Sequence, residues 1–378
     1  MTDLLNRGVA QILPDKNSLM EKIKNEKIRL YLGIDPTGSF LHLGHSVVLR
    51  KLQQFAQAGH EVILLIGNGT VKIGDPTGRD SSRPMLTESE IEENFKNWQV
   101  QAAKVLDFDL IKIKRNGDWL DKLNYAQMVK LMAKTTVQQL LERDMFQERL
   151  KNNLPIFGHE IIYPLLQGYD SVAMDVDLEI GGSDQTFNMM MGRHLQKIYN
   201  NREKWVLTTP IINGLDGRKM SKSYNNYIAL AATPEEMYNK VMTAKDEVII
   251  EYFTLLTDVS DQQIEEMRLA MNNGENPMIF KKELAKTLVT MYHDEVVAGK
   301  AADNWQKVVS EKKLPDEMIE VIVPNFDLPL VELAKIAEPE TSKSHLRRLQ
   351  DQGGLELLAN KVLRVGKKNY YQLKIKEN

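Results

Sequence analysis

Two apolar segments near the N-terminus have the pattern of buried parallel strands. Residues 28–34 (IRLYLGI) and 61–67 (EVILLIG) are short runs of largely branched apolar side chains, bounded by turn-forming residues. Between them, the segment from Leu43 to Ala58 repeats apolar residues at helical spacing. A strand, a helix and a strand in this order predict a βαβ unit with a right-handed crossover.

Further segments extend this pattern along the chain. VDLEIGG at 176–182 predicts another strand, with a helix from about Gln185. The stretch 84–152 is mostly helical in period, and TESEIEENF within it predicts a capped helix start. Because this stretch separates the strand-bearing halves, the pattern favours an α/β fold: a Rossmann-like doubly wound parallel sheet with a helical insertion.

The predicted secondary structure changes twice in the remainder of the chain. After about Ala232 the apolar period is again helical, and residues 315–330 (PDEMIEVIVPNFDLPL) are punctuated by prolines, which is typical of a linker or a strand. The last part alternates a helical segment with strand-like runs. We therefore predict a catalytic domain over 1–231, an α-helical domain over 232–320 and a small α+β domain over 326–378.

Composition narrows the class of protein. The 378 residues are 42% apolar and 27% charged, which is ordinary for a globular protein. No apolar run is long enough for a membrane span, and the N-terminus lacks the layout of a signal peptide. Cysteine is absent, which excludes disulfides, thiolate zinc sites and cysteine nucleophiles. These features predict a cytoplasmic protein that is not bound to a membrane.

Charge is distributed unevenly. The net charge is −3, yet residues 341–378 carry nine basic and three acidic side chains. A basic terminal module on an otherwise acidic chain suggests contact with a polyanion, although a solvated charged face would give the same composition.

The first chemically suggestive motif is LHLGH at 41–45. It follows a strand and the turn residues DPTGSF, so His42 and His45 should share one face of the first turn of a helix. A helix N-terminus offers free N–H groups to a phosphate, and Gly44 would let a flat ligand approach the backbone. A zinc site is disfavoured because no third ligand follows in a suitable pattern. Ordinary surface histidines remain an alternative.

The second motif is GRKMSKSYNN at 217–226. Lys219 and Lys222 lie three residues apart with Ser221 and Ser223, in a segment bounded by Gly and Asn. Such a loop could close over a triphosphate, but a basic loop by itself is more often a solvated turn.

A third pattern lies in EIIYPLLQGYDSVAMD at 160–175. Tyr163, Gln167 and Asp170 recur at helical spacing among apolar residues, and Pro164 is typical of a first helical turn. This polar stripe faces either water or a polar pocket, and periodicity does not separate the two.

Together these motifs resemble a known family. HLGH after a first strand and KMSKS far downstream are similar to the two signatures of class I aminoacyl-tRNA synthetases. YLGIDPTGSFLHLGH, GDPTGR, YPLLQGYD, GGSDQ and KMSKS occur in the order seen in tyrosyl-tRNA synthetases. Nearly the whole chain matches that family. One departure is SDQTFN, where many members have Trp-Gly in place of Thr-Phe.

The resemblance implies roles for individual residues. Tyr31 and Asp170 would hold the phenol hydroxyl of tyrosine, Tyr163, Asp75 and Gln167 its ammonium group, and Gln185 its carboxylate. ATP would contact two groups of residues. The nucleotide and its phosphates would meet Gly33, Asp35, Thr37, His42, Gly44, His45, Gly182 and Asp184. The candidate catalytic residues at the reacting phosphates would be His42, His45, Arg79, Arg83, Lys219, Lys222 and Ser223.

It also implies partners. The end of the chain resembles an S4-like RNA-binding module, whose tRNA(Tyr) contacts would be Lys343, Arg347, Arg348, Lys361, Arg364, Lys367 and Lys368. The region 115–160 matches the family's dimer interface, which implies a homodimer. Mg²⁺ would be carried on the ATP phosphates, and no dedicated metal site is expected.

Three rival functions remain at this point. A tryptophanyl-tRNA synthetase has a related fold, but an indole N–H does not need both Tyr31 and Asp170. A nucleotidyltransferase with an HxGH motif would not need the basic terminal module. A catalytically silent RNA-binding paralogue would not need both histidines and both loop lysines.

Overall fold

The computed structural model describes residues 4–77, 86–311, 314, 318–366 and 369–375. Their strands are β1 Gln11–Leu13, β2 Arg29–Ile34, β3 Glu61–Ile66, β4 Ile111–Arg115, β5 Leu178–Gly182, β6 Trp205–Thr209, β7 Ile319–Val323, β8 Leu355–Leu358, β9 Val362–Val365 and β10 Asn369–Ile375.

The α-helices up to the end of the strand-bearing region are α1 Lys16–Asn25, α2 Leu43–Gln57, α3 Glu88–Ala102, α4 Gly117–Leu120, α5 Tyr125–Met132, α6 Val137–Leu141, α7 Asp144–Lys151, α8 Gly158–Met174 and α9 Thr186–Asn200. Those that follow are α10 Pro234–Met242, α11 Ile249–Leu256, α12 Asp261–Asn272, α13 Pro277–Tyr292, α14 Glu295–Trp305, α15 Leu330–Ala337 and α16 Lys343–Asp351. Short 3₁₀ helices span Thr70–Lys72, Ser183–Gln185, Asp246–Val248 and Ala359–Lys361, and Gln306–Ser310 is a short π-helix.

The six-stranded sheet has the order β1-β6-β5-β2-β3-β4. All its neighbouring strands are parallel except β1, which pairs antiparallel with β6 at one edge. From β2 the chain proceeds outward through β3 and β4, and then returns to β5 and β6 on the other side. The reversal between β2 and β5 is a topological switch point, where open α/β sheets form ligand crevices at the carboxyl ends of strands.

The predicted βαβ unit is confirmed by β2, α2 and β3, and the predicted third strand and its following helix by β5 and α9. The capped start of α3 is also confirmed, since Thr87 and Glu90 form a capping box. The stretch 84–152 differs from the helical expectation at one place. Its charged, alternating segment at Ile111–Arg115 forms β4, the strand at the sheet's other edge.

Helix α8 begins earlier than Pro164 indicates. Gly158 is its first residue, so Pro164 lies inside the helix. The proline is buried, as are its neighbours Leu165 and Leu166.

By its internal contacts the chain divides into two compact units, one comprising 1–233 and 240–284 and the other 234–239 and 285–378. The second contains a four-stranded sheet of order β7-β10-β9-β8 packed with α15 and α16. The proline-bounded segment near 320 is therefore a strand of this sheet. The three-domain boundaries remain a prediction. Among the described residues, no helix has the length and apolar character needed to span a bilayer.

Candidate functional site

A cleft of about 260 Å³ opens at the switch point between β2 and β5. Ten predicted site residues line it: Gly33, Asp35, Thr37, His45, Asp75, Tyr163, Gln167, Asp170, Gly182 and Gln185. The polar stripe of α8 thus faces a cavity, which answers the question that periodicity left open. The other described candidates in this unit are not among the residues that line the cleft: Tyr31, His42, Gly44, Asp184, Lys219, Lys222 and Ser223.

Four of the predicted residues lie outside the described part of the chain. They are Arg79 and Arg83, which follow the GDPTG segment, and Lys367 and Lys368, which precede β10.

The HLGH motif forms the start of α2. His42 is the N-cap residue, and its ring Nδ1 accepts a hydrogen bond from the Gly44 N–H at 3.1 Å. The ring Nδ1 of His45 accepts from the His42 N–H at 3.1 Å. The two imidazoles therefore act as a reciprocal capping pair, with ring centroids 4.0 Å apart.

Burial and nearby charges determine whether these rings are protonated, and the capping contacts determine which nitrogen carries the proton of the neutral ring. Burial, followed by the neighbouring His45 and Lys222, lowers the pKa of His42 to about 2. Burial, followed by Lys222, lowers the pKa of His45 to about 4. Both rings are neutral near pH 7, and because each Nδ1 accepts an N–H, the ring proton lies on Nε2. Each Nε2–H is then a donor suited to an anionic ligand.

The KMSKS loop contacts the HLGH motif directly. A Cβ on Gly44 would lie 3.4 Å from Met220 Sδ, so Met220 packs against this glycine. It would also lie 2.9 Å from the His42 ring, which explains why no side chain fits at position 44. The Lys222 ammonium group donates to the Phe40 carbonyl at 2.8 Å and lies 3.9 Å from the centre of the Phe40 ring.

A buried asparagine organises the same loop. Asn226 Oδ1 accepts from the Ser221 N–H at 2.8 Å, and its Nδ2 donates to Asp216 at 2.7 Å and to the Lys219 carbonyl at 3.1 Å. Lys219 Nζ lies 3.3 Å from Asp184, a carboxylate predicted to contact the nucleotide. Ser223 is exposed at the loop surface.

At the inner end of the cleft lies Asp170, which is 2% exposed. Its carboxylate accepts from the Trp119 indole N–H at 2.8 Å and from the Asn116 amide at 3.1 Å. Burial raises the pKa of Asp170 well above its usual range, against the effect of these two donors. Tyr31 is fully buried, and its hydroxyl forms a hydrogen bond with Ser171 Oγ at 3.0 Å.

The predicted nucleotide and ammonium residues are hydrogen-bonded to one another. Tyr163 donates its hydroxyl to Asp35 at 2.8 Å, and Thr70 donates to the other oxygen of Asp35 at 2.7 Å. Asp75 accepts from Gln185 at 2.8 Å and from the Thr77 hydroxyl at 2.6 Å.

The unusual SDQTFN segment has a clear packing role. Asn188 donates to the Gln185 side-chain oxygen at 2.9 Å, which holds the Gln185 amide toward Asp75. The Phe187 ring lies 5.3 Å from the guanidinium carbon of Arg143, which is buried near Asp75 and donates to Thr77.

Sequence reasoning missed several residues of the cleft: Gly67, Thr70, Trp98, Asn116, Glu179 and the indole of Trp119 behind them. Asn116 follows β4 directly, so recognition of that strand would have indicated it, because ligand-binding residues commonly follow parallel strands. Glu179 is an acidic residue inside a buried strand, and a buried acidic side chain of this kind indicates a candidate functional residue.

In the second unit, the basic side chains are partly paired. Lys343 contacts Glu332 at 2.7 Å and Arg364 contacts Glu356 at 2.8 Å, whereas Arg347 and Arg348 are exposed on α16. Lys361 lies over the Phe326 ring at 4.7 Å.

Comparisons with known proteins agree on one family. The model for class I tRNA synthetases (W and Y) matches residues 23–310. A tyrosine–tRNA ligase of Thermotoga maritima is 43% identical, over 98% of this chain and 96% of that protein. One from Carboxydothermus hydrogenoformans is 44% identical, over 95% of this chain and 90% of that protein.

Solved structures share the fold at lower identity. A truncated mitochondrial tyrosyl-tRNA synthetase of Aspergillus nidulans has a TM-score of 0.68 and 20% identity, covering 81% of this chain and 93% of that one. The enzyme of Archaeoglobus fulgidus, complexed with L-tyrosine, has a TM-score of 0.62 and 24% identity, covering 79% and 98%.

The neutral histidines predict a loss of stability in acid. Below about pH 6.5 the unfolded state protonates His42 and His45 while the folded state does not, so the free energy of unfolding falls as pH falls. Between pH 6.5 and 5, each ring should contribute a loss of roughly 2 kcal/mol. Urea unfolding across this range should show a shallower pH slope for His45→Asn than for the unchanged chain.

The control is His159→Asn, an exposed histidine in the same unit. An unchanged slope in His45→Asn, or an equal change in His159→Asn, would contradict the assignment.

Proposed function

The chain belongs to the class I tRNA synthetases for tryptophan and tyrosine, and we propose that it joins L-tyrosine to tRNA(Tyr) with ATP. The observation that carries this proposal is the contact between the HLGH and KMSKS motifs beside a cleft that ends in a buried carboxylate. The first step forms tyrosyl-adenylate and pyrophosphate, and the second transfers the tyrosyl group to the 3′-terminal ribose.

In the first step a tyrosine carboxylate oxygen bonds to the α-phosphorus of ATP, and the bond from that phosphorus to the β-phosphate oxygen breaks. Catalysis here needs positioning and charge stabilisation, with no side-chain nucleophile. His42 and His45 would donate through Nε2–H to the phosphates. Lys219 and Lys222 are both exposed. Their ammonium groups would leave their present partners, Asp184 and the Phe40 carbonyl, and bind the leaving pyrophosphate.

In the second step a ribose hydroxyl of the tRNA attacks the adenylate carbonyl carbon, and AMP leaves with the bonding electrons. The roles of Arg79, Arg83 and Ser223 at the phosphates stay predictions from the family resemblance.

Tyrosine would be selected at the inner end of the cleft. A phenol O–H can donate to Asp170, whose oxygens already accept from Trp119 and Asn116, whereas a phenylalanine ring would bring no donor. Tyr163, Asp75 and Gln167 would meet the ammonium group. The contact of Tyr31 with the phenol stays a prediction, because its hydroxyl is bonded to Ser171.

Mg²⁺ is proposed to arrive on the ATP phosphates. Two carboxylates of the cleft, Asp35 and Asp75, already accept hydrogen bonds from neighbouring side chains. This donor set fits an ion held mainly by phosphate and water, where it would neutralise charge on the leaving pyrophosphate. The cytoplasmic location likewise stays a prediction.

Exchange of labelled pyrophosphate into ATP, measured with each of the twenty amino acids, tests the activity. We expect exchange with tyrosine only, and we expect Asp170→Ala to lower it by roughly tenfold to a hundredfold, because the phenol loses its hydrogen-bond acceptor.

Asp118→Ala, an exposed change on the neighbouring helix α4, is the control and should leave exchange unaltered. Exchange with tryptophan would favour the rival synthetase, and no exchange with any amino acid would favour the silent paralogue.

We also propose a homodimer through the surface of α5 to α8. Large apolar side chains are exposed along it: Tyr125, Val129, Met132, Val137, Leu150, Leu154 and Phe157. Such a concentration of exposed large apolar side chains in one stretch of the chain is typical of a protein interface.

Val129→Asp should therefore convert the dimer to a monomer, as measured by sedimentation velocity, because a charge would be buried without a partner. Leu269→Asp replaces an equally exposed apolar residue on α12 and should keep the dimer. A monomeric unchanged protein, or a dimeric Val129→Asp variant, would refute the interface.

The S4-like region is proposed to bind tRNA phosphates through α16. The double change Arg347→Ala and Arg348→Ala should raise the KM for tRNA and reduce the salt slope of binding by about 1.5, while pyrophosphate exchange stays normal. Lys374→Ala, a basic change on β10 that is paired with Glu320, is the control. An unchanged salt slope would exclude this face.

A further inference from the structure

Beneath the cleft lies a buried ion pair that the activity outlined above does not use. Lys204 is fully buried, and its ammonium group contacts the carboxylate of Glu179, which is 1% exposed. The same ammonium group donates to Ser171 Oγ at 2.8 Å and to the Met189 carbonyl at 3.1 Å. All three donors of the lysine are therefore used inside the protein.

The fold makes space for this lysine at Gly192 on α9. A Cβ at position 192 would lie 2.4 Å from Lys204 Nζ and 2.6 Å from Ser171 Oγ. Any side chain there would displace the ammonium group. The absence of a side chain at Gly192 therefore leaves the space that the Lys204 ammonium group occupies.

The other face of Glu179 contacts the substrate cleft. Its second oxygen accepts a hydrogen bond from Gln167 Nε2 at 3.2 Å, and both Glu179 and Gln167 line the cavity. A carboxylate without a proton can only accept hydrogen bonds, so it binds the NH₂ group of the Gln167 amide and not its oxygen. The carbonyl end of that amide is then the part left to accept a hydrogen bond from a ligand.

We propose that Lys204 is a positioning residue that keeps Glu179 ionised, and that Glu179 in turn orients the Gln167 amide so that its oxygen receives the ammonium group of the amino-acid substrate. This inference rests on the proposed function, because it concerns the tyrosine subsite of the same cleft.

Loss of the lysine should reverse the amide. An unpaired carboxylate buried beside Asp170 would bind a proton in preference to remaining charged. The resulting O–H would donate to the Gln167 oxygen and turn the NH₂ group toward the ammonium of the substrate. Donor would then face donor, and the ammonium would lose one of its acceptors.

Two variants should each reverse the Gln167 amide, by different routes. Lys204→Met removes the charge. Glu179→Gln keeps the lysine and the volume, but the new amide must accept from Lys204 and so offers its own NH₂ to Gln167. Lys197→Met, an exposed lysine-to-methionine change on α9, is the matched control.

The ligand series separates this role from a structural one. Tyrosine and tyramine carry the ammonium group, whereas 3-(4-hydroxyphenyl)propionate and p-cresol share the phenol ring without it. In both variants we expect the KM for tyrosine and the inhibition constant of tyramine to rise about tenfold. The inhibition constants of the two ammonium-free compounds and the KM for ATP should stay within twofold of the unchanged protein.

Weaker binding of all four compounds would show that the pair only supports the fold, and would overturn the proposal. Unchanged or tighter binding of tyramine would overturn it as well, since an ionised, unpaired Glu179 would attract the ammonium group. Failure of the unchanged protein to exchange pyrophosphate with tyrosine would instead refute the proposed function, independently of the variants.

Discussion

Two backbone hydrogen bonds hold the reactive side of the cleft together. The Leu43 N–H donates to the Ile228 carbonyl and the Leu230 N–H to the Leu41 carbonyl, each at 2.9 Å. They join the start of α2 to the segment that follows the KMSKS loop, without using any side chain. The packing of Met220 on Gly44 depends on this junction, and so does the reach of Lys222 to Phe40.

The cleft that results is electrostatically polarised. Its inner part is lined by the carboxylates Asp35, Asp75, Asp170 and Glu179, and most of their partners are neutral hydroxyl, amide and indole donors. The start of α2 and the KMSKS loop contribute two neutral N–H donors and two lysines. An ammonium group therefore finds carboxylates in the cleft, and a triphosphate finds N–H donors and lysines in the two signature motifs. Such a division suits a substrate pair that meets at the carboxylate of one and the α-phosphate of the other.

Patterns within one element were readable from the sequence, and contacts between elements were not. The helical start at His42, the capping box at Thr87 and the stripe of α8 all follow from spacing along a single segment. Strand β4 was missed because an edge strand alternates charged residues and lacks the continuous apolar run of a buried one. Asn116 and Trp119 contact Asp170 only because the fold brings the residues that follow β4 against the side of α8.

The ion pair of Lys204 and Glu179 illustrates why such contacts matter beyond packing. A buried pair seldom adds stability over an apolar alternative, because desolvation of both charges offsets their attraction. What a carboxylate supplies in this position is direction: it accepts only, whereas a glutamine could present either end of its amide. Keeping that carboxylate charged requires a cation as deeply buried as itself, and a lysine reaching past Gly192 meets the requirement. The buried pair therefore costs stability, but it restricts the Gln167 amide to one of its two possible orientations.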